Sequence, residues 1–125
     1  MDIRVCTLCS GYDSQMMALR RIKDLNADLV YWSEIDPNAI KAHNLLFPEY
    51  ENRNLGDMTA INWEDKEDFD LLTYSTPCTS LSCAGKRDGM KKDSNTESSI
   101  IWSVEDCIRI KRPKYLIMEN VKNIL

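Results

Sequence analysis

The chain has 125 residues, of which 43% are apolar and 29% charged, and its formal net charge is −4. These values fit one globular domain, exclude a disordered chain, and argue against a protein whose whole surface binds nucleic acid. No apolar run approaches the roughly 20 residues of a membrane span. The odd number of cysteines, five, and the charged N-terminus predict a reduced cytoplasmic protein without signal peptide or disulfide framework.

The predicted elements alternate between strands and helices along the chain. Apolar, β-branched runs predict strands at 3–8, 28–33, 70–75 and 115–118, with a weaker one at 50–55. This alternation predicts βαβ units and an α/β fold with a doubly wound, mostly parallel, Rossmann-like sheet.

Three helices are predicted between these strands. The first has Met16, Leu19 and Ile22 on one face, with Asp13 or Ser14 as its N-cap. The second helix begins near Pro37, and its predicted apolar face comprises Ala39, Ala42, His43 and Leu46. The third helix spans roughly 98–111, and its predicted apolar face comprises Ile101, Val104 and Ile108.

Small or ionisable residues follow every predicted strand. In strand order they are Gly11, then Glu34 with Asp36, then Asp57, then Cys78, and finally Glu119 with Asn120. Because the carboxyl ends of parallel strands share one edge of a sheet, the sequence predicts a ligand site at that edge.

The first two strand exits suggest a nucleoside-containing cofactor. Gly11 allows a ligand to approach the backbone closely, and Glu34, 23 residues later, is placed to accept hydrogen bonds from ribose hydroxyls. Asp13 stands where a dinucleotide fingerprint has its second glycine; it would repel phosphate and tolerate the cationic S-adenosylmethionine. Asp57 is a candidate acceptor for the adenine amino group. A turn glycine, a solvated glutamate and an N-cap aspartate are equally compatible with the same spacing.

Cys78 follows Pro77 in a loop after the fourth predicted strand, where a thiol is accessible enough to react. Glu119 leaves the neighbouring strand, so a nucleophile and a proton donor are predicted to converge. Spacing alone fits a buried, inert cysteine and a surface glutamate slightly better.

Five motifs of this sequence resemble those of the cytosine carbon-five DNA methyltransferases. "PCTSLSCAGKRDGM" resembles the family's P-C loop and "KYLIMENVKNIL" its E-N-V motif, while "LCSGYDSQMMAL", "SEIDPNAIKAHNLLFPEY" and "GDMT" resemble its three cofactor motifs. All five occur in the family's order, and the resemblance covers essentially all 125 residues.

The resemblance implies a catalytic role for three residues. Cys78 would attack carbon six of a flipped cytosine, Glu119 would hold ring nitrogen three and the exocyclic amine, and Asn120 would orient Pro77. It also implies cofactor contacts with S-adenosyl-L-methionine from Leu8, Cys9, Ser10, Gly11, Glu34, Ile35, Asp57, Met58 and Pro77. A loop toward the DNA would include Ser80, Ser82, Lys86 and Arg87. No metal is implied.

This chain departs from the family's pattern at Cys9, where a phenylalanine is usual, and at Asp13, where a glycine is usual. Family members also continue well beyond the E-N-V motif. We therefore expect the chain to be the N-terminal portion of a catalytic domain, truncated after the fifth strand, without the target-recognition region and inactive by itself. DNA would bind through the complete enzyme, and the edge at "YLIM" would pair with a missing C-terminal half or with a second copy.

Three alternatives remain open at this point. The same motifs serve methylation of cytosine in RNA. Cys6 and Cys9 form a C-x-x-C pair, which fits a redox site or half a zinc site. The chain also fits a non-catalytic binding or assembly module that retains the fold.

Overall fold

The computed structural model describes residues 1–75 and 100–119, which form a four-stranded parallel sheet with helices. Its elements are β1 (Asp2–Leu8), α1 (Ser14–Arg20), β2 (Asn26–Ser33), α2 (Pro37–Leu46), β3 (Leu71–Ser75), α3 (Ile100–Lys111) and β4 (Tyr115–Glu119). The strand order is β2-β1-β3-β4. The predicted Rossmann-like α/β fold is confirmed, and the order reverses between β1 and β3, where such sheets bind ligands.

Two details of the sequence-based prediction are wrong. The weak strand at 50–55 is a 3-10 helix, Pro48–Arg53, followed by a single bridge between Asn54 and Trp32. Pro48 fixes φ and has no N–H for a strand ladder, so it begins a helical turn instead. Among the described residues the sheet therefore has four strands, and β4 is the fourth rather than the fifth. Ile22 lies beyond the end of α1 and is 51% exposed.

Two apolar clusters cover the two faces of the sheet. One packs α1 and the 3-10 helix Pro48–Arg53 against the strands; its members are Ile3, Val5, Met16, Leu19, Leu29, Trp32, Phe47, Tyr50 and Leu71. The other packs α3 and two short 3-10 helices on the opposite face; its members are Cys6, Leu8, Val30, Met58, Trp63, Phe69, Leu72, Val104 and Cys107.

An irregularity in the pairing of β1 with β2 decides which side chains reach each face. Val5 pairs with Leu29, but the next residue, Cys6, pairs with Tyr31, so β2 carries one extra residue. As a result Leu29 and Trp32, three positions apart, lie in the same cluster, which a regular strand does not allow.

β4 forms one edge of the described sheet, and each of its residues is exposed. The apolar residues Tyr115, Leu116, Ile117 and Met118 are each about half exposed, between 49% and 50%. The edge predicted at "YLIM" is thus uncovered within the described part of the chain. None of the helices described is long and apolar enough to cross a membrane.

Candidate functional site

The loop after β1 has an unusual backbone, with three residues in the left-handed region. These are Cys9 with φ 52°, Gly11 with φ 59° and Asp13 with φ 74°. Only Gly11 adopts this conformation without steric cost, so the surrounding structure must hold the other two. One such contact is the hydroxyl of Ser75, at the end of β3, which donates to the carbonyl of Cys9 at 3.1 Å.

Glu34 connects this loop to the end of β2. Its Oε1 accepts the backbone N–H of Gly11 at 2.8 Å, and its Oε2 accepts the N–H groups of Ile35 and Asp36 at 2.9 and 3.0 Å. A carboxylate has about four acceptor positions, so capacity for a further donor remains. Glu34 thus both shapes the loop and presents an acceptor at the sheet edge.

Asn54 is a residue of the site that sequence reasoning missed. Its Oδ1 accepts the N–H groups of Glu34 at 3.1 Å and of Gly56 at 2.9 Å, and its Nδ2 donates to the carbonyl of Glu34 at 3.1 Å. No motif or spacing marks Asn54, because its partner lies 20 positions away. The two hydrogen bonds between Asn54 and the backbone of Glu34 fix the position of Glu34.

A small cleft opens at the carboxyl ends of β1 and β2. It is lined by Cys9, Ser33, Glu34, Ile35, Gly56, Asp57 and Met58. Its enclosed volume is about 40 Å³, far below the roughly 300–1,000 Å³ of sites that enclose a whole small molecule, so it suits only part of a ligand. Among the residues that the structure describes, the lining has two carboxylates and neither Lys nor Arg, which suits a nucleoside without phosphate.

Asp57 lines this cleft together with the sulfur-containing side chains of Cys9 and Met58. Asp57 Oδ1 accepts the N–H and the hydroxyl of Thr59 at 2.9 and 2.7 Å, which caps the 3-10 helix Met58–Ala60. The Sγ of Cys9 lies 3.6 Å from the Sδ of Met58.

The structure brings five of the predicted cofactor residues together in the cleft: Cys9, Glu34, Ile35, Asp57 and Met58. Three others do not line it. Leu8 is 1% exposed within the cluster on the α3 side, Ser10 is 7% exposed in the loop, and Gly11 contributes its backbone N–H to Glu34.

Asp13 does not face the cleft. It is fully buried, and its Oδ1 accepts the N–H of Met16 at 3.4 Å as the N-cap of α1. The N-cap interpretation is therefore confirmed. The suggestion that its charge meets a cationic ligand is wrong, because the carboxylate is turned into the core.

Glu119 ends β4, opposite Ser75 in the register of β3 and β4. The side-chain amide of Gln15, in the first turn of α1, donates to its Oε2 at 3.3 Å. Cys78 comes three residues after Ser75 in the sequence. The following predicted residues lie outside the described ranges: Pro77, Cys78, Ser80, Ser82, Lys86, Arg87 and Asn120.

The cysteines of the C-x-x-C pair are separated by their surroundings. Cys6 is fully buried in the sheet, and burial raises the pKa of its thiol well above the usual value, whereas Cys9 borders the cleft. No disulfide joins Cys6, Cys9 or Cys107.

Within the described residues, no group of three or more His, Cys, Asp or Glu side chains is arranged to hold a metal ion. A raised thiol pKa makes Cys6 a poor nucleophile and ligand, which argues against the redox and zinc interpretations.

Comparison with known proteins identifies the family. The model of the C-5 cytosine-specific DNA methylases matches residues 3–125. The orphan methyltransferase M.Rho11sI of Bacillus phage rho11s is 36% identical over 123 residues, which cover 98% of this chain and 24% of that protein. The type II methyltransferase M2.ScrFI of Lactococcus lactis subsp. cremoris is 47% identical over 74 residues, 59% of this chain and 21% of that protein.

A solved structure supports the same fold. The S. pombe Dnmt2 methyltransferase superposes with a TM-score of 0.67 at 22% identity, over 95% of this chain and 34% of that one. The chain spans about a quarter of the length of the curated relatives it matches. With the family model matched over nearly all its residues, the chain belongs to the C-5 cytosine-specific DNA methylase family.

Proposed function

We propose that this chain is the cofactor-binding and nucleophile-bearing part of an enzyme that methylates carbon five of cytosine in DNA. The observation on which this rests is the cleft at the carboxyl ends of β1 and β2, where Glu34 and Asp57 present acceptors and the described lining contains no Lys or Arg. Family membership supports a methyltransferase, and the family's description names DNA. DNA is therefore the substrate proposed here, and RNA is the alternative.

S-adenosylmethionine would supply the methyl group, and the residues of the cleft fit its adenosine part. Glu34 would accept from the ribose hydroxyls, Asp57 from the adenine amino group, and Ile35, which is 66% exposed, would pack against the adenine ring. The fit rests on hydrogen-bond type, because both carboxylates accept and the nucleoside groups donate.

The proposed chemistry assigns covalent catalysis to Cys78 and acid catalysis to Glu119. The thiolate of Cys78 would bond to carbon six of the flipped base while Glu119 gives a proton to ring nitrogen three, so carbon five would become nucleophilic. Carbon five would then take the methyl group from the sulfonium of S-adenosylmethionine, and S-adenosylhomocysteine would leave. Transfer of the carbon-five proton to a solvent base would then expel Cys78 as thiolate, and return of the proton on ring nitrogen three to Glu119 would restore the ring. The position of Glu119 opposite Ser75 in the sheet supports this pairing, since Cys78 follows Ser75 by three residues.

Binding of S-adenosylmethionine tests the cofactor part of the proposal. We expect measurable but weak affinity by calorimetry, and Glu34→Ala should weaken it by about 10- to 100-fold because hydrogen bonds to a charged acceptor are lost. Glu105→Ala removes the same charge from an exposed position of α3 and should leave the affinity unchanged. Equal affinity for NAD and S-adenosylmethionine would contradict a cleft selective for an unphosphorylated nucleoside.

A polypeptide of these 125 residues alone is expected not to transfer methyl groups to DNA. Its relative M.Rho11sI is about four times as long, and the loop proposed to face DNA contains four basic residues, Lys86, Arg87, Lys91 and Lys92. Four charges give a small counterion-release contribution, while flipping a base costs a few kcal/mol. The measurement is incorporation of a tritiated methyl group into mixed-sequence DNA and RNA, with Cys78→Ala as control. Cysteine-dependent incorporation would overturn the expectation, and incorporation into RNA alone would favour the alternative substrate.

A non-catalytic binding module is the second candidate for the chain. The retention of both Cys78 and Glu119 in the sequence argues against it. Covalent capture of a target base, described in the Discussion, separates the two possibilities.

A further inference from the structure

A buried polar group lies directly beneath the loop that borders the cleft. The carboxylate of Asp13 accepts the hydroxyl of Thr7 at 2.7 Å through Oδ2, and the same oxygen lies 3.0 Å from Nε2 of His43. All three side chains are fully buried. They come from β1, from the N-cap of α1 and from α2, so one carboxylate joins three elements of the fold.

The ring of His43 is fixed by aromatic neighbours. It stacks on Trp32 with a centroid distance of 3.6 Å and an interplanar angle of 7°, and it contacts Phe47 at 5.2 Å. Its Nδ1 is buried and has no hydrogen-bond partner among the described residues. Because the carboxylate of Asp13 only accepts, we assign the proton of the ring to Nε2, which donates to Asp13.

The backbone at Asp13 explains why these hydrogen bonds matter. Asp13 has φ 74° and ψ 58°, a left-handed conformation that is unfavourable for most residues with a side chain. Its N–H donates to the carbonyl of Ser10 at 2.9 Å, which closes the turn containing Gly11. Gly11 in turn donates to Glu34. A change of conformation at Asp13 therefore moves the backbone donor that orients the carboxylate of Glu34.

We propose that Asp13 and His43 are positioning residues of the cofactor site. Neither lines the cleft; they act through the turn at Gly11, which holds Glu34 and the Cys9 side of the cleft in place. The proposal rests on the proposed function, since it names a determinant of the same site. Hydrogen bonding from His43 to Asp13, rather than the bulk of the ring, is what sustains the left-handed turn.

Two substitutions of His43 separate hydrogen bonding from packing. His43→Gln and His43→Leu both remove the ring that stacks on Trp32, but glutamine retains an N–H donor near the position of Nε2. We expect both to lower stability toward urea. Affinity for S-adenosylmethionine should fall about tenfold in His43→Leu, because leucine has no N–H to donate to Asp13. In His43→Gln the affinity should stay within about threefold of that of the unsubstituted protein, because the glutamine amide still donates. Ile3→Ala, near the amino end of β1 and so at the opposite end of that strand from the loop, should destabilise the same apolar cluster and leave affinity unchanged.

Asp13→Asn tests the same hydrogen bond if His43→Leu does not fold. Asparagine tolerates the left-handed conformation and still caps α1, but its amide places a donor against Thr7 or His43, so an approximately tenfold loss of affinity is again expected. Equal losses in His43→Gln and His43→Leu, or losses that follow stability in all variants including Ile3→Ala, would overturn the proposal.

Amide hydrogen exchange of residues 9–13 gives a second readout that needs no cofactor. His43→Leu should accelerate exchange at Gly11 and Asp13 about tenfold relative to amides of α3, and His43→Gln should not. If the unsubstituted protein does not bind S-adenosylmethionine, the proposed function fails while exchange still tests the positioning role. Unchanged exchange in His43→Leu would refute that role.

Discussion

Duplex DNA with 5-fluorocytosine in the target site should form a covalent adduct with Cys78, in a complete enzyme that contains this chain. Once Cys78 has bonded to carbon six and carbon five has been methylated, release of the cysteine requires loss of a proton from carbon five. Fluorine does not leave as a proton does, so the enzyme stays attached to the base. Cys78→Ala should reduce the adduct by roughly a thousandfold or more, since no bond to carbon six can form. The measurement is a DNA-bound band that resists denaturation.

The other cysteines provide the controls for this experiment. Cys83→Ala should form the adduct normally. Cys107 is buried in α3, and burial raises the pKa of its thiol to about 12, so at pH 8 its thiolate fraction is roughly a thousandfold below that of an ordinary cysteine. Cys6 is fully buried with its pKa also raised. Attachment at Cys83 or Cys107 in a peptide map would show that the nucleophile has been misassigned.

Trp32→Ala should be the most destabilising single substitution in the described core, with a loss of about 3–5 kcal/mol in the free energy of unfolding. Trp32 is fully buried, its ring stacks on His43, and its Nε1 donates to the carbonyl of Tyr50 at 2.8 Å. Truncation would leave a cavity beside the His43 ring and remove the hydrogen bond from Nε1 to the carbonyl of Tyr50. Urea unfolding with an unchanged m-value measures the effect.

Trp32→Phe is the graded comparison for this prediction. Phenylalanine keeps a ring against His43 and loses the donor to Tyr50, so a smaller loss of about 1–3 kcal/mol is expected. Because a domain is stable by only about 5–15 kcal/mol, Trp32→Ala is also expected to lower the yield of folded protein. A loss below about 1 kcal/mol in Trp32→Ala would contradict the packing described here.

The sequence alone determined the alternation of strands and helices and the edge of the sheet where the site lies. The apolar periodicities of strands and helices are local patterns, so the four strands and three helices were placed within a few residues of their observed bounds. The carboxyl ends of parallel strands share an edge, which brought Glu34 and Glu119 to one side of the fold before any contact was known. Asp57 was placed there as the exit of a strand at 50–55, but the structure has a 3-10 helix in that region and Asp57 reaches the cleft from the start of another one. Assignment of the family depended on five motifs in order, since the spacing of Cys78 and Glu119 alone left their roles open.

Only the tertiary structure decided how the site is held. The extra residue in β2 that turns Trp32 toward His43 depends on register with β1, and a sequence pattern does not specify register. Asp13 is a buried anchor because His43, 30 positions away, reaches it from α2. Asn54 orients Glu34 across 20 positions, and the segment 50–55 is a 3-10 helix although its residues allow a strand. Local sequence sets backbone preference and burial pattern, whereas the partner of a buried polar group is set by packing between distant segments, which forms only when the chain folds.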